Sequence, residues 1–349
     1  LRDESTVDLV VFLIDRKDLD DQTVDEYNSF EKDCVDNTDS TAVLINMLKS
    51  SEKKMIVTTI QKMANAVKNP KYTAVMDAYR DKRVVFIIDE CHRSQFGKMH
   101  GQIQKHFGRA NYIGFTGTPI SMKDRNTREV FGDYIDIYDM TQAVEDGATR
   151  PVYYESRVIK LKLDEHTLKL IDQEYDIMAN NADPEVIEKS KKQLGQMEAI
   201  LGNDKTIASL VDDILDHYEN YRENLLTGKA MIVAYSRPIA MKIYERILQL
   251  RPSWTEKIAV VMTGSNKDPE EWNKIIGNKR HKDELAKQFK DNDSPLKIAI
   301  VVDMWLTGFD VPSLATMYIY KPMQGYNLMQ AIARVNRVFG DKEGGLVVD

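Results

Sequence analysis

Cysteine is scarce in this chain, with only Cys34 and Cys91 among 349 residues. The two are far apart and form no Cys-x-x-Cys pair, which argues against a disulfide framework and against a zinc site built on thiolates. No run approaches the ~18 consecutive apolar residues of a membrane-spanning helix. The start, Leu1–Glu4, also lacks the basic-then-apolar pattern of a secretion signal. Neither membrane insertion nor secretion is indicated, so the expected compartment is the cytoplasm.

An excess of positive charge is also lacking. Lys and Arg total 48 against 55 Asp and Glu, which gives a net charge of −7. Overall charge therefore provides no attraction to nucleic acid, and any phosphate binding must come from local groups of Lys and Arg. With 42% apolar and 30% charged residues, the composition is that of a globular protein, and the length suits two domains of ordinary size.

Short apolar runs alternate with helix-length polar stretches in two parts of the chain. The first part predicts strands at Val10–Ile14, Met55–Thr58, Val84–Ile88 and Tyr112–Phe115. The second part predicts strands at Met231–Ala234, Ile258–Met262, Ile298–Val302 and Met317–Tyr320. Residues 164–226 contain no convincing strand and predict helices. The pattern indicates an α/β protein with two parallel-sheet lobes, residues 1–150 and 151–349, and a helical insertion between them.

The predicted strand Val84–Ile88 runs directly into Asp89 and Glu90. In open α/β sheets, ligands bind outside the carboxyl ends of the strands, where an Asp can hold Mg²⁺ and a neighbouring Glu can polarise an attacking water. A core strand followed by a polar turn would give the same pattern. A second strand, Tyr112–Phe115, leads in a similar way into Thr116-Gly117-Thr118-Pro119. Two such strand ends favour the interpretation that these residues form half of a nucleotide-hydrolysing site.

A further motif, Thr307-Gly308-Phe309-Asp310, follows a predicted strand of the second lobe, where glycine permits a sharp turn and the Asp and Thr can meet a ligand. A helix is predicted over Tyr326–Val338. In it Gln330, Arg334 and Arg337 stand at i, i+4 and i+7, so all three are expected on one face. These arginines can form a surface stripe with salt-bridge partners, or they can deliver guanidinium groups to a γ-phosphate from across an interdomain cleft. Spacing alone does not decide between the two.

Taken in order, these motifs resemble those of a superfamily-2 helicase-type motor. Three longer strings narrow the resemblance to the motor of type I restriction enzymes, in the restriction (R) subunit: Ile88–Gln95, Gly114–Pro119 and Gln330–Arg337. The resemblance covers nearly the whole chain, and residues 164–226 are its least diagnostic part. It implies two RecA-like lobes that form the ATP-driven double-stranded DNA translocase core of a type I restriction endonuclease. Methylation (M) and specificity (S) subunits would be its partners.

The resemblance also implies roles for individual residues. Asp89 would be the Mg²⁺ ligand, Glu90 would position the attacking water, and Arg334 with Arg337 would contact the phosphates of ATP. The residues that would bind the nucleotide or couple the two lobes are His92, Gly308, Asp310 and Gln330. The residues that would contact nucleic acid or link it to the nucleotide state are Arg16, Thr59, Gln61, Thr116, Thr118, Ser236, Arg237, Thr263 and Thr307.

One element of such a motor is missing. A Gly-rich loop, whose backbone N–H groups and Lys hold the β- and γ-phosphates, would read Gly-x-x-x-x-Gly-Lys-Ser/Thr, and no such string occurs. Gly97-Lys98 and Gly228-Lys229 lack both the preceding Gly and the following hydroxyl. Because the first predicted strand resembles the one after this loop, the loop is expected upstream of Leu1, as are the nuclease carboxylates of an R subunit. The chain by itself is therefore expected to bind ATP poorly and to be inactive.

Other interpretations stay open. The chain can belong to a different superfamily-2 protein, a helicase or a chromatin-type remodeller, in which the same ATP residues serve another DNA or RNA substrate. It can also be a nucleic-acid-binding module that has lost hydrolysis, which the missing phosphate loop permits and the intact Asp-Glu and arginine motifs oppose. For Arg16 and Arg237, simple solvation at a strand end is the alternative to DNA contact. For His92 it is an ordinary turn histidine.

Overall fold

The structure is a computed structural model of the chain. It describes residues 4–14, 40–50, 55–89, 91, 98–117, 121–122, 125–157, 197–266, 268–306, 308–323 and 325–349. The chain divides into two compact units, Leu1–Ile137 and Tyr138–Asp349, whereas the sequence places the boundary near residue 150. Each unit contains its own parallel sheet, so the predicted α/β architecture of two parallel-sheet lobes is confirmed.

The first unit is built on a four-stranded parallel sheet in the order β2-β1-β3-β4. Its strands are β1 (Leu9–Ile14), β2 (Met55–Thr59), β3 (Val84–Ile88) and β4 (Asn111–Gly114). Two short strands pair antiparallel elsewhere in the unit, β5 (Ser121–Met122) and β6 (Arg125–Asn126). The helices are α1 (Thr41–Ser50), α2 (Ile60–Lys68), α3 (Thr73–Asp77), α4 (Lys98–His106) and α5 (Thr127–Phe131), with a 3-10 turn at Pro70–Tyr72.

Burial on both faces explains why these strands read as unbroken apolar runs. Val11 and Leu13 belong to one buried cluster, whereas Val10 and Ile14 belong to another. Successive side chains of a strand point to opposite faces, so each face of β1 contributes to a separate core. The register also follows from this packing, because a slip of one residue would exchange the two sets.

The second unit contains a six-stranded parallel sheet in the order β7-β12-β11-β8-β10-β9. Its strands are β7 (Val152–Glu155), β8 (Ala230–Ala234), β9 (Ile258–Val261), β10 (Ile298–Val301), β11 (Thr316–Tyr320) and β12 (Gly345–Val348). Its helices are α6 (Met140–Glu145), α7 (Asp204–His217), α8 (Arg237–Leu250), α9 (Glu270–Ile276), α10 (Lys279–Lys290) and α11 (Gly325–Val335). A π-helical turn, Tyr218–Arg222, continues α7, and a 3-10 turn, Pro252–Trp254, follows α8.

Part of the predicted helical insertion, residues 164–196, lies outside the described residues. The part that is described is helical at 197–201 and in α7 with its π-helical turn. None of the helices in the described ranges has the length and apolar content that a bilayer crossing requires.

The end of α11 differs from the prediction. The helix stops at Val335, not Val338, so Arg337 lies in the segment after the helix and the predicted face shared by three side chains is wrong. The cause is close packing by β12, because a Cβ atom on Gly345 would lie 2.2 Å from the Val335 carbonyl oxygen. The next residue, Asn336, gives its carbonyl to the N–H of Arg150 at 2.6 Å instead of to a further helical turn.

Candidate functional site

Asp89 lies at the carboxyl edge of the first sheet. Its backbone N–H donates to the Leu13 carbonyl at 3.1 Å, which extends the β1–β3 ladder by one bond. The neighbouring strand β4 is paired so that Gly114 stands opposite Ile88. Because parallel strands end at the same edge, Asp89 and Thr116 are brought to neighbouring strand ends, where α/β sheets bind their ligands. The two motifs that follow β3 and β4 in the sequence therefore lie together.

Backbone hydrogen bonds join these two motifs directly. The N–H of Cys91 donates to the Phe115 carbonyl at 3.0 Å, and the N–H of Phe115 donates to the Ile88 carbonyl at 2.9 Å. A Cβ atom on Gly114 would lie 2.8 Å from Cys91 Sγ, closer than side-chain atoms tolerate. Glycine at this position therefore allows the Cys91 turn to approach β4.

Thr59 lies at the same edge of the sheet, as the last residue of β2. Its hydroxyl caps α2 by accepting the N–H of Lys62 at 3.3 Å, and the residue is 4% exposed. Capping alone accounts for a threonine here, so its contact with nucleic acid stays a prediction. Gln61 is exposed on the first turn of α2, and Thr116 is half-buried.

Five predicted site residues lie outside the described residues: Arg16, Glu90, His92, Thr118 and Thr307. Their roles remain predictions. In the described ranges, no group of three or more His, Cys, Asp or Glu side chains could hold a metal ion. Asp89 does fit a Mg²⁺ site of another kind, because Mg²⁺ in nucleotide sites is commonly held by one or two carboxylates together with substrate phosphates and water.

In the second unit, both predicted arginines contact the loop after β10. Arg334 donates from Nη1 to the Phe309 carbonyl at 2.7 Å and from Nε to the Gln330 carbonyl at 3.3 Å. Arg337 Nε lies 3.0 Å from Asp310 Oδ1, although its N–H does not point along that line, so the contact is a charge pair and not an aligned hydrogen bond. The structure thus joins two motifs that are far apart in the sequence.

The two arginines differ in how firmly they are held. Arg334 is half-buried and bonded to main-chain carbonyls. The side chain of Arg337 is 44% exposed and that of Asp310 is 50% exposed, so water screens their attraction and the pair contributes little. Arg337 is therefore the arginine that can exchange its partner for another anion. Gly308, in the same loop, is exposed and has a left-handed backbone, with φ +70°.

Trp305, which the sequence patterns do not single out, also supports this loop. Its backbone is left-handed with φ +67°, which is unusual for a bulky residue. The ring stacks on Phe309 with centroids 4.1 Å apart, and the residue is 8% exposed. In the sequence, Trp305 only continues an apolar run, so no local signal marks the stack.

Two buried lysines hold the rest of the same segment. Lys342 Nζ donates to the Leu314 carbonyl at 2.7 Å, and Lys229 Nζ contacts Asn292 Oδ1 at 2.6 Å and Ser313 Oγ at 3.2 Å. Burial lowers the pKa of each lysine to about 8. The pair Gly228-Lys229, which the sequence rules out as a phosphate loop, thus has a structural role. Sequence reasoning misses both lysines because charged residues beside strands are normally solvated.

The carboxyl edge of the second sheet holds Ser236, after β8. Its hydroxyl caps α8 by accepting the N–H of Ile239 at 3.5 Å and donates to Glu198 Oε1 at 2.5 Å. Thr263, after β9, is exposed at the same edge. Ser236 and Thr263 therefore lie at the carboxyl edge of the sheet, where α/β sheets bind their ligands. Contact of these two residues with nucleic acid remains a prediction.

Arg237, the first residue of α8, is ion-paired with Asp268. The same carboxylate oxygen accepts the N–H of Ser265 at 2.7 Å. The hydrogen bond from Arg237 holds the pKa of Asp268 below its usual range. The sequence predicts simple solvation or DNA contact for Arg237 and gives no sign of this intramolecular partner, because Asp268 lies 31 positions further along the chain.

A cavity of about 240 Å³ lies in another part of the second unit, beside α7 and the ends of β11 and β12. Arg157 of its wall pairs with Asp213 of the wall at 2.9 Å and with Glu155, outside the wall, at 2.7 Å. The described site residues do not line it. The cavity is therefore separate from the strand-end motifs.

Residues 1–188, more than half of the chain, match the family SWI2/SNF2 ATPase. This chain belongs to the SWI2/SNF2 ATPase family. Residues 255–349 of this SWI2/SNF2 ATPase match the family Type I restriction enzyme subunit R domain 3. The resemblance carried by the strand-end and arginine motifs is thereby confirmed.

Similar proteins include two endonuclease subunits of type I restriction enzymes. The MjaIXP subunit of Methanocaldococcus jannaschii is 42% identical over 344 residues, which are 98% of this chain and 32% of that protein. The HindI subunit of Haemophilus influenzae is 39% identical over an alignment of 366 positions, which covers 97% of this chain and 34% of that protein. The chain spans about a third of the length of these curated relatives.

Solved structures support the fold. The ATP-dependent Type ISP restriction-modification enzyme LlaBIII bound to DNA is similar with a TM-score of 0.60 and 14% identity, over 97% of this chain and 24% of that one. The Hef helicase domain of Pyrococcus furiosus has a TM-score of 0.56 and 13% identity, over 99% of this chain and 87% of that one. At such identities the likeness concerns the fold, and the two lobes are RecA-like as predicted.

Proposed function

We propose that this chain is the ATP-driven motor region of a type I restriction R subunit, which moves double-stranded DNA before an upstream nuclease domain cleaves it. The observation that carries the proposal is the position of Asp89, directly after a buried parallel strand. The hydrogen bond from the N–H of Cys91 to the Phe115 carbonyl joins the segment after this strand to the motif at Thr116. Membership of the SWI2/SNF2 ATPase family and the type I relatives support the same function.

ATP with Mg²⁺ is the proposed nucleotide. Asp89 would hold the Mg²⁺, which when bound neutralises charge on the phosphate oxygens. Glu90 would orient the attacking water and accept its proton, and the weakly held Arg337 would contact the γ-phosphate. Arg334 would keep the Phe309–Asp310 loop in place for it, beside Gly308 and Gln330. The Gly-rich loop for the β- and γ-phosphates is expected in the preceding part of the protein.

Double-stranded DNA is the proposed substrate along which the motor moves. Those predicted contact residues that the structure describes lie at or near strand ends, where hydroxyl, amide and guanidinium groups can hold backbone phosphates without reading bases. Binding is then expected to weaken steeply with salt and to depend little on sequence. Methylation and specificity subunits would supply site recognition, and the complex would act in the prokaryotic cytoplasm.

The proposal is tested with the full-length subunit and its Glu90→Gln variant. ATP hydrolysis is measured with and without a long linear DNA duplex. The parent is expected to be stimulated by DNA, and the variant is expected to lose about a hundredfold or more in rate, because the general base is gone. Glu129→Gln, which removes the same charge from α5, serves as the control. Hydrolysis by Glu90→Gln at the parent rate would contradict the assigned role.

A strand-separating helicase is the second candidate, favoured by the likeness to the Hef helicase domain over nearly the whole chain. The two functions differ in what happens to the duplex. A helicase releases the strand of a forked, labelled duplex during ATP hydrolysis, whereas a translocase consumes ATP and leaves the strands paired. Release of the labelled strand by the full-length protein would favour this second candidate.

A further inference from the structure

The Asp268 carboxylate is held from two directions at the carboxyl edge of the second sheet. Arg237 pairs with it through Nη2, and the N–H of Ser265 donates to the same oxygen at 2.7 Å. The side chain of Asp268 is only 5% exposed, whereas that of Arg237 is 26% exposed. The carboxylate thus lies in a small pocket of donors, with the guanidinium partly open to solvent.

A guanidinium together with a backbone N–H is a general oxyanion site. Arginine forms strong charge-assisted hydrogen bonds with carboxylates and with phosphates alike, and main-chain N–H groups in turns hold either anion. The N-terminus of α8 lies beside the site, with Ser236 as its cap, and adds the positive end of a 14-residue helix. A phosphodiester oxygen would therefore find the same donors that Asp268 now uses.

A second arginine pair on the same helix provides a comparison. Arg251 follows the C-terminal end of α8 and binds both carboxylate oxygens of Glu219, at 2.6 and 2.7 Å. Arg251 lies at the end of the helix opposite to the strand-end edge. That pair has the two-pronged geometry of a fixed structural bridge. The Asp268 contact instead uses one carboxylate oxygen for two donors.

We propose that Asp268 occupies a DNA-phosphate site made by Arg237 and the Ser265 N–H, and that a backbone phosphate must displace it for this lobe to grip DNA. The inference rests on the proposed DNA-motor function, which supplies the phosphate. The contact is autoinhibitory: it lowers the affinity for DNA and keeps a guanidinium from binding other anions while no DNA is present.

The test compares three full-length proteins, the parent, Asp268→Asn and the control Glu219→Gln. Both substitutions change the net charge equally and leave a side chain of similar volume. The amide oxygen of Asn can still accept the Ser265 N–H, so the turn is kept. Binding of a short linear duplex is measured without nucleotide over a range of salt concentrations, and thermal unfolding confirms that each protein is folded. Asp268→Ala provides a second variant should Asn perturb the turn.

Asp268→Asn and Asp268→Ala are expected to bind DNA about three to ten times more tightly at low salt, with a salt slope steeper by about 0.9 for one additional phosphate. Glu219→Gln should stay within about twofold of the parent, since it frees no phosphate site. The gain should disappear when Arg237→Gln is added to Asp268→Asn. A purely structural role for Asp268, in orienting Arg237 toward DNA, predicts the opposite sign.

Equal or weaker DNA binding by both Asp268 variants, with a parent that binds normally, would overturn the inference and leave the motor function intact. If neither the parent nor any variant binds DNA, the motor function and the inference both fail. If only the variants bind, the inference is supported, because removal of the resident carboxylate is then what opens the site.

Discussion

Arg334 donates a hydrogen bond of 2.7 Å to the main-chain carbonyl of Phe309, and so fixes α11 to the loop after β10. Three residues further on, Arg337 faces Asp310 in a solvent-exposed pair. One arginine therefore stabilises the loop, while the other remains able to bind a nucleotide phosphate. The two should respond differently to substitution.

Arg334→Met is expected to lower the free energy of unfolding by about 1 to 3 kcal/mol, because it leaves a buried carbonyl without its donor. Arg337→Gln should change that free energy by less than about 0.5 kcal/mol, since its pair is exposed. It should nevertheless reduce ATP hydrolysis by about tenfold or more. Chemical denaturation and steady-state hydrolysis measure the two effects. Equal losses of stability in both variants would contradict this division of roles.

Lys342 should make stability depend on pH in the alkaline range. Burial lowers its pKa to about 8 in the folded protein, below the 10.5 of a solvated lysine. Between these values the unfolded chain binds more protons, so the penalty of burying the charge is complete below pH 8 and is relieved as the pH rises.

Between pH 7.5 and pH 9.5, the free energy of unfolding of the parent should rise relative to that of Lys342→Met by about 2 kcal/mol. Urea denaturation of both proteins at the two pH values provides the comparison, and other titrating groups cancel in the difference. A difference that stays constant with pH would show that Lys342 is not buried as a charge.

His100 should make stability depend on pH in the acidic range. It is 2% exposed, neither ring nitrogen has a hydrogen-bond partner among the residues that the structure describes, and burial lowers its pKa to about 4. Stability linked to this residue is complete above pH 6.5 and is lost as the pH falls toward 4, because the unfolded chain then gains a proton first. The loss should reach up to about 3 kcal/mol.

The measurement is urea denaturation of the parent and of His100→Phe at pH 7 and pH 4.5. The variant should lose less stability on acidification than the parent does. His281→Gln, at an exposed position, should follow the parent. A His100→Phe protein as acid-sensitive as the parent would mean that other groups cause the loss.

Gly114 should tolerate no side chain. An added Cβ would meet Cys91 Sγ at 2.8 Å and a ring carbon of Phe131 at 3.0 Å. Gly114→Ala is therefore expected to cost about 1 to 3 kcal/mol of stability through overpacking. Gly117→Ala, where no atom of the described residues lies within 4 Å of the added atom, should cost less than about 0.5 kcal/mol. Thermal unfolding of the two variants, and of Gly114→Ala combined with Cys91→Ala as a rescue, tests the contact.

Much of the fold follows from the sequence because the strands are buried on both faces. Val84–Ile88 reads as a continuous apolar run for this reason, and the structure places β3 on those same residues. The order of the motifs also identifies the family, since each one follows a strand end. Asp89 also directly follows a buried strand, at the edge where parallel sheets bind their ligands, so its position could be predicted from the sequence.

Contacts between distant segments could not be predicted. The end of α11 at Val335 depends on Gly345 of a strand that follows it, and helix periodicity carries no information about that approach. The partner of Arg237 is likewise set by the loop that carries Asp268, not by neighbours in sequence. Lys229 and Lys342 were missed because only the folded protein brings enough carbonyl and hydroxyl groups together to bury an ammonium.

We propose that Asp89 belongs to an ATP site that drives movement along duplex DNA. A sharp test is displacement of a labelled third strand from a linear duplex, using the full-length protein together with the methylation and specificity subunits that are proposed as its partners. We expect displacement that requires ATP and is delayed in proportion to the distance from the recognition site, and no displacement with Asp89→Asn. Displacement by Asp89→Asn at the parent rate, or a delay that does not depend on distance, would contradict the proposal.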